Sequence, residues 1–391
     1  MFQRRTILAL FLAVCLTAAS MSFATAMAAQ GSESARPPQG VIDDILHLRE
    51  LARDPCLAFD PARVRSLLQF VREDKADPAS VDLQSIDAAT SAYYEETINL
   101  PLSRIIDYHF SSDFPPFLIM PSSIRLNAWD TPPAESVPAL WKRLDATAEP
   151  FLLARGGEHE EITPDLVTGA YFRYDATRTV ILLKDGGRRY VISITLQDDP
   201  SQIGRKGAVI GDDADWNHFY SGIEGVPMAG LGWAKSYMYE AFVVNVLHEP
   251  EPGKPLTRGA FFKWLNAGWS GINMTKRHHL VEGFQRFFQG YKTMLESPAL
   301  PSPEQLAKLV RQVQSLPEAE LMARLKPYAE SIERLAATDK GKLSRREYAP
   351  LIKNGAFLAK YTREEREATL LKEYMKAIVG KPTPVEKPTL E

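Results

Sequence analysis

Apolar residues recur at helical spacing through the first part of the chain. Ile45, Leu46 and Leu51 form one stripe. Val64, Leu67, Leu68 and Val71 form a second, after Asp60-Pro61, which reads as an N-cap followed by proline at the first helical position. A third stretch, from about Leu83 to Phe110, carries Ile86, Tyr93, Ile98 and Ile105 and is expected to be helical, with Pro101 kinking or splitting it. From Phe114 the pattern changes. Pro115, Pro116 and Pro121 mark a loop, Ser123 to Trp129 reads as a strand, and Val137 to Ala146 reads as a short helix with Leu140, Trp141 and Leu144 on one side.

The strongest strand signals lie between Leu166 and Leu196. Val167–Tyr174, Thr179–Leu183 and Tyr190–Leu196 are rich in β-branched and aromatic residues. The last two flank Lys184-Asp185-Gly186-Gly187-Arg188, a hairpin turn because glycine reaches positive φ without steric cost. In Tyr190–Leu196 the two parities alternate, which implies a sheet with one face more buried than the other. Ser236–His248 reads as a further strand. A long helical region is expected over 259–296. Its second half carries an aromatic stripe, Leu280, Phe284, Phe287, Phe288, Tyr291, Met294 and Leu295; Phe261 to Trp269 form an equally aromatic first half, with a bend at Gly268 and Gly271. Residues 297–379 return to plain helix. Ser302–Gln305, Ser344–Glu347 and Thr362–Glu365 each fit a capping box, and Glu320/Arg324 is an i,i+4 pair. Lys381–Glu391 is Pro-, Lys- and Thr-rich and is expected to be a disordered tail.

These elements predict an α+β fold, an antiparallel curved sheet packed on a long aromatic helix. The expected divisions are a signal peptide at 1–28, a polar spacer at 29–40, an N-terminal helical region at 41–113, the α+β domain at 114–296, a C-terminal helical region at 297–380 and the tail at 381–391.

Composition narrows the function. The chain has 391 residues, 45% hydrophobic and 24% charged, which is globular rather than disordered or multi-spanning. With 46 basic against 49 acidic residues, it lacks the concentrated positive charge that nucleic acid binding needs. Arg4 and Arg5, the apolar run Ile7–Ala19 and Ala26-Met27-Ala28 read as a secretory signal cleaved near Ala29, placing the mature chain in the periplasm or outside the cell. The same segment also permits an uncleaved membrane anchor, a twin-arginine signal, or lipidation at Cys15. Cys56 is the one cysteine beyond it, so no internal disulfide forms, and its apolar neighbours suggest a buried small hydrophobe.

The sharpest local motif is Asp213-Ala214-Asp215-Trp216-Asn217. Asp213, Asp215, Asn217, Ser221 and Glu224 fall at positions 1, 3, 5, 9 and 12 of a calcium-loop template, and oxygen ligands at that spacing can wrap a hard cation. His218 stands where the template has glycine. A fainter echo at Ala336–Glu347 lacks the acidic ligands. His278 and Glu282 share a helix face, which invites a metal reading with His218 or His248. No nucleophile elbow, phosphate-binding loop or dinucleotide fingerprint is present.

The order of elements from 122 to 296 resembles the START-like, helix-grip superfamily. The hairpin Thr179–Leu196, the strand Ser236–His248 and the closing stretch Gly259–Asn266 carry the resemblance. It implies a sheet wrapped around a helix over an apolar cavity, lined here by Phe242, Val244, Trp264, Phe284, Phe288 and Tyr291. The leading expectation is therefore an exported binding protein for a lipid or other apolar small molecule, without a cofactor unless the acidic segment takes Ca²⁺. The alternatives are an envelope structural protein that docks a protein partner, and a hydrolase or metal-dependent enzyme with a cleft around Asp213, Asp215, His218, His278 and Glu282.

Overall fold

The structure is a computed structural model and describes residues 36–75, 77–228, 232–251, 253–338, 343 and 347–389. The signal segment, Ser344 of the second capping box and most of the Ala336–Glu347 echo lie outside the described residues.

The chain opens with helices α1 (Gln39–Arg53) and α2 (Arg65–Arg72). Asp60 caps the short turn before α2, its side chain accepting from the Ala62 amide at 2.9 Å. Next come strand β1 (Thr90–Ile98), helix α3 (Leu102–His109), strand β2 (Ile124–Thr131), helix α4 (Val137–Ala146) and strand β3 (Phe151–Ile162). The short β4 (Ala170–Tyr171) precedes the long hairpin of β5 (Arg173–Asp185) and β6 (Arg188–Gln197). The hairpin turn expected at Lys184–Arg188 is the two-residue turn Gly186-Gly187, with φ of 57° and 76°, flanked by the Asp185–Arg188 pair. Strands β7 (Arg205–Val209), β8 (His218–Glu224), β9 (Val226–Met228), β10 (Gly232–Ala234), β11 (Ser236–His248), β12 (Thr257–Trp269) and β13 (Ile272–Asn273) follow.

The main sheet is eight-stranded and open, in the order β1-β12-β11-β6-β5-β3-β2, with β13 paired to β12. Every pairing in it is antiparallel. Register shifts at Met238/Glu240 in β11 and at Ile124/Leu126 and Trp129/Thr131 in β2 bend the strands locally. A smaller sheet joins β4, β7 and β8, and β9 pairs with β10. The fold class is thus α+β, with nine helices among the described residues.

Both faces of the main sheet are covered. Helices α1 and α2 pack on one face, burying Leu48, Leu67 and Val71 against Ile181, Tyr190, Ile192, Val244 and Phe262. The opposite face meets α3, α4 and α5 (Arg277–Leu295). Helices α6 (Pro303–Gln314), α7 (Glu318–Thr338), α8 (Ala349–Ile352) and α9 (Arg363–Ile378) continue that second core. The helical ends are therefore layers of the sheet's own core.

Several expectations are corrected. Residues 90–98 form edge strand β1, not helix, because Tyr93 and Tyr94 project to opposite faces against Phe262 and Phe261 of β12. Pro101 caps α3 instead of kinking a long helix. Phe261–Trp269 belongs to β12, and the helix begins only at Arg277, after Gly271 turns the chain at φ 75°. Its aromatics look continuous because both parities are buried, one in each layer. Residues 166–168 form a turn after Asp165, whose carboxylate accepts from the Val167 and Thr168 amides, and Val167 is 78% exposed. Cys56 is exposed, not buried. The tail folds back as far as Val385, which is buried, while Thr383 donates to Glu373 at 2.6 Å. The capping boxes at Ser302/Gln305 and Thr362/Glu365 and the Glu320–Arg324 pair form as expected. Among the described residues no helix is long and apolar enough to cross a membrane.

Candidate functional site

Strand alternation sorts side chains between the two layers, and the layer facing α5 is unusually polar. Across it one row reads Ala92, Lys263, Val243, Thr195, Arg178 and Gly156, each paired with the next. The adjoining row reads Tyr94, Phe261, Asn245, Ser193, Val180 and Ala154. Gly156 is required by its neighbour: a Cβ there would lie 2.7 Å from the Trp129 ring.

Lys263, Val243, Thr195, Asn245, Arg178, Tyr174 and Glu160 all keep part of their surface exposed to solvent. Yet burial is the main influence on the charged groups among them. It pushes the Glu160 carboxyl up, reinforced by the nearby Glu158 charge. It pushes the Lys263 ammonium down, with Glu160 opposing. It holds the Tyr174 phenol well above its usual value, with Glu160 adding to the effect. These side chains are surrounded by protein yet keep some accessible surface, and the part of the sheet face they share, turned toward α5, is called the recess below.

Most polar groups of the recess are paired. Arg178 binds Glu158 through Nε and Nη2 at 2.6–2.8 Å and reaches Ser193 Oγ at 3.3 Å. Tyr174 donates to Glu160. His109, at the end of α3, meets Tyr291 Oη of α5 at 3.0 Å. Burial, helped by the Arg178 charge, lowers the His109 pKa to about 3, so its ring is neutral.

Lys263 is different. Among the described residues it makes no hydrogen bond or ion pair, and Glu160 is the one charge favouring its protonated form. Asn245 Oδ1, on the same face of the neighbouring strand, is buried without a partner. An ammonium in an enclosed site without a counter-ion costs several kcal/mol. It either loses its proton or takes an anion.

The six residues expected to line one cavity are divided between the layers. Phe284 and Phe288 stack on Tyr94, each with centroids 5.5 Å away, and Phe288 lies 4.4 Å from Phe261. Tyr291 meets Phe288 edge-on at 6.3 Å and His109 at 5.7 Å. Phe242 and Trp264 stack on each other at 5.3 Å on the far face, with Val244 beside them, and Trp264 Nε1 donates to the Gln84 carbonyl at 2.9 Å. The sheet itself separates the two groups. The aromatic part of α5 is solid packing, and the recess beside it is polar.

The acidic segment does not converge as a calcium loop. Asp213 is gripped by Arg286 at 2.7 and 2.8 Å. Asn217 accepts from Lys376 at 2.7 Å, and Ser221 donates to the Lys206 carbonyl. Residues 218–224 form β8, whose extended backbone carries Ser221 and Glu224 away from Asp213. Among the described residues no group of three or more His, Cys, Asp and Glu side chains could hold a metal. His218 is buried 3.7 Å from Asp213, whereas His278 and Glu282 are exposed on α5. The enzyme cleft expected from the sequence is thus only partly assembled, by Asp213 and His218.

Lys263, Glu160 and Arg178 were missed as site residues. A signal was available for Lys263 alone, a charged residue between Phe262 and Trp264 in a run apolar at both parities. No protein-family model, no curated protein and no solved structure matches the chain.

Proposed function

We propose that the protein binds a small amphipathic carboxylate in the recess between the sheet and α5. The single observation carrying this reading is Lys263, half-buried and without a hydrogen bond or ion pair among the described residues. A ligand carboxylate supplies the missing counter-charge. Its apolar body lies beside the half-buried Val243 and Leu265 of the same sheet face. The reading keeps the apolar-ligand expectation but moves it to one layer and adds a charged head. The leader-like N-terminus adds export to the proposal, and the order of hairpin, strand and closing helix supports its helix-grip element.

Isothermal titration with a series of fatty and aryl carboxylates tests the reading. Binding to the wild-type protein is expected, weakened about 10- to 100-fold in Lys263→Met, the magnitude of a lost charge-assisted hydrogen bond. Equal binding to both proteins, or binding of uncharged alcohols as tight as that of the acids, would overturn it.

A further inference from the structure

A cleft on the α1 side of the sheet, opposite the recess, plays no part in the proposed carboxylate site. Strands β6 and β11 are paired from Tyr190/His248 to Leu196/Phe242, and beyond that pair they part. The end of α1 borders the fork, and the cleft there has a volume of about 450 Å³. Small-molecule sites fall in the range of roughly 300–1,000 Å³. Ala52 and Leu196 supply the apolar part of the lining.

A register shift shapes one wall. Met238 pairs with Ala267 and Glu240 with Asn266, so Tyr239 is an extra residue in β11. Consecutive residues of a regular strand face opposite sides, but here Tyr239 and Glu240 both line the cleft. Tyr239 Oη accepts from the Gly271 amide at 2.8 Å, which fixes the phenol and leaves its own proton to donate. The Tyr237 ring lies beside it, with centroids 5.9 Å apart.

The cleft offers more open acceptors than donors. Arg49, 5% exposed, binds Asp87 Oδ2 at 2.8 Å and also Glu240 Oε1, and its guanidinium lies over the Phe242 ring at 5.9 Å. Thr177 donates to Asp198 Oδ1 at 2.8 Å. Each of the three carboxylates thus has one oxygen held by the protein, and its other oxygen has no donor among the described residues. Gln197 is 7% exposed. Both hydrogens of its amide go to carbonyls, Asp199 at 2.7 Å and Met238 at 2.9 Å, and its Oε1 is buried without a donor. Two guanidiniums, Arg49 and Arg53, nearly balance the three carboxylates. Among the described residues the carboxylates do not converge as a metal site.

The geometry points to this cleft as a binding site for a polyhydroxylated ligand of the saccharide class. A hydroxyl both donates and accepts, so it can donate to an open carboxylate oxygen and accept from Tyr239 or Arg53. A neutral polyol suits a lining with little net charge. The C–H face of a sugar ring packs on the half-buried Tyr239 ring. Carboxylates already tied at one oxygen are oriented beforehand, so binding freezes little further motion.

Saturation-transfer NMR on the full-length protein tests this, with glucose, galactose, N-acetylglucosamine and maltose as probes at millimolar concentration. Transfer to at least one of these sugars is expected. Its Kd should rise about tenfold or more in Asp198→Ala, which removes an open acceptor, and in Tyr239→Ala, which removes the ring. Asp198 is exposed, so its replacement leaves the core intact, and a thermal melt verifies the fold of both variants. Absence of transfer to all four sugars, or a Kd unchanged in Asp198→Ala, would overturn the inference. So would tighter binding of spermidine than of every sugar, which would make the cleft a site for organic cations.

Discussion

Lys263 and Trp264 are neighbours in β12 that project into opposite layers of the protein. Trp264 stacks on Phe242 beneath α1 and donates its indole N–H to the Gln84 carbonyl at 2.9 Å. Lys263 enters the recess facing α5 without a partner among the described residues. One dipeptide thus contributes a fixed anchor to one layer and, to the other, a lysine whose charge only Glu160 favours. The two consequences separate experimentally.

Lys263→Met keeps the length of the side chain and removes the charge. In the absence of ligand the variant should be as stable as the wild type or about 1 kcal/mol more stable, since no counter-ion is lost. The folded-state pKa of Lys263 lies below its unfolded value of about 10.4, so the unfolded chain binds more protons in that interval and stability rises with pH. Urea unfolding at pH 7 and pH 9.5 should show this rise in the wild type and a smaller one in the variant. A large loss of stability at both pH values would mean the ammonium is paired.

Buried histidines set the acid limit. His248, beneath the Tyr190 ring, is lowered to about 4 by burial, and His109 to about 3. Both remain neutral in the fold but take a proton near pH 6.5 when unfolded. Their contribution to stability is whole above pH 6.5 and is lost as the pH falls toward 4 and then 3. Thermal melts of His248→Phe should match the wild type at pH 7 and exceed it at pH 4.5. Parallel losses in both proteins would remove His248 from the account.

Phe288 joins α5 to the sheet through Tyr94 and Phe261 and is 2% exposed. Phe288→Ala should cost about 3–5 kcal/mol in denaturant unfolding, as expected for a large side chain deleted from a solid core. A cost below about 1 kcal/mol would mean that this part of α5 borders empty space.

At the start of α9, Thr362 and Glu365 form a capping box. Glu365 also accepts from the buried Arg125 at 2.8 Å. Thr362→Ala loses only a cap and should cost about 1 kcal/mol. Glu365→Ala also leaves Arg125 short of a counter-ion and should cost about 3 kcal/mol or more. Equal costs, read from chemical denaturation, would show that Glu161 alone suffices to compensate the Arg125 charge.

Local chemistry made some elements readable in advance. The Gly186-Gly187 hairpin, α4 and the Ser302 and Thr362 caps depend on residues close together in the chain. Strands β1, β3 and β12 were harder. In β1 and β12 both parities are buried, so the period of two disappears and aromatic runs imitate helix. In β3 the inward row contains Gly156, Glu158 and Glu160, which do not resemble a core strand. Asp213 and His218 were legible as chemistry, but their partners Arg286 and Lys372 lie far away in sequence.

The sequence by itself determined the α+β class, the central hairpin, the capped C-terminal helices and the balance of charge, because each follows from short-range periodicity, turn chemistry or composition. The tertiary structure decided which face each strand residue occupies, and so divided the expected cavity lining between two layers. It also decided which charges are left unpaired. Burial and pairing depend on distant segments brought together by the sheet order, and no spacing along one chain encodes them directly.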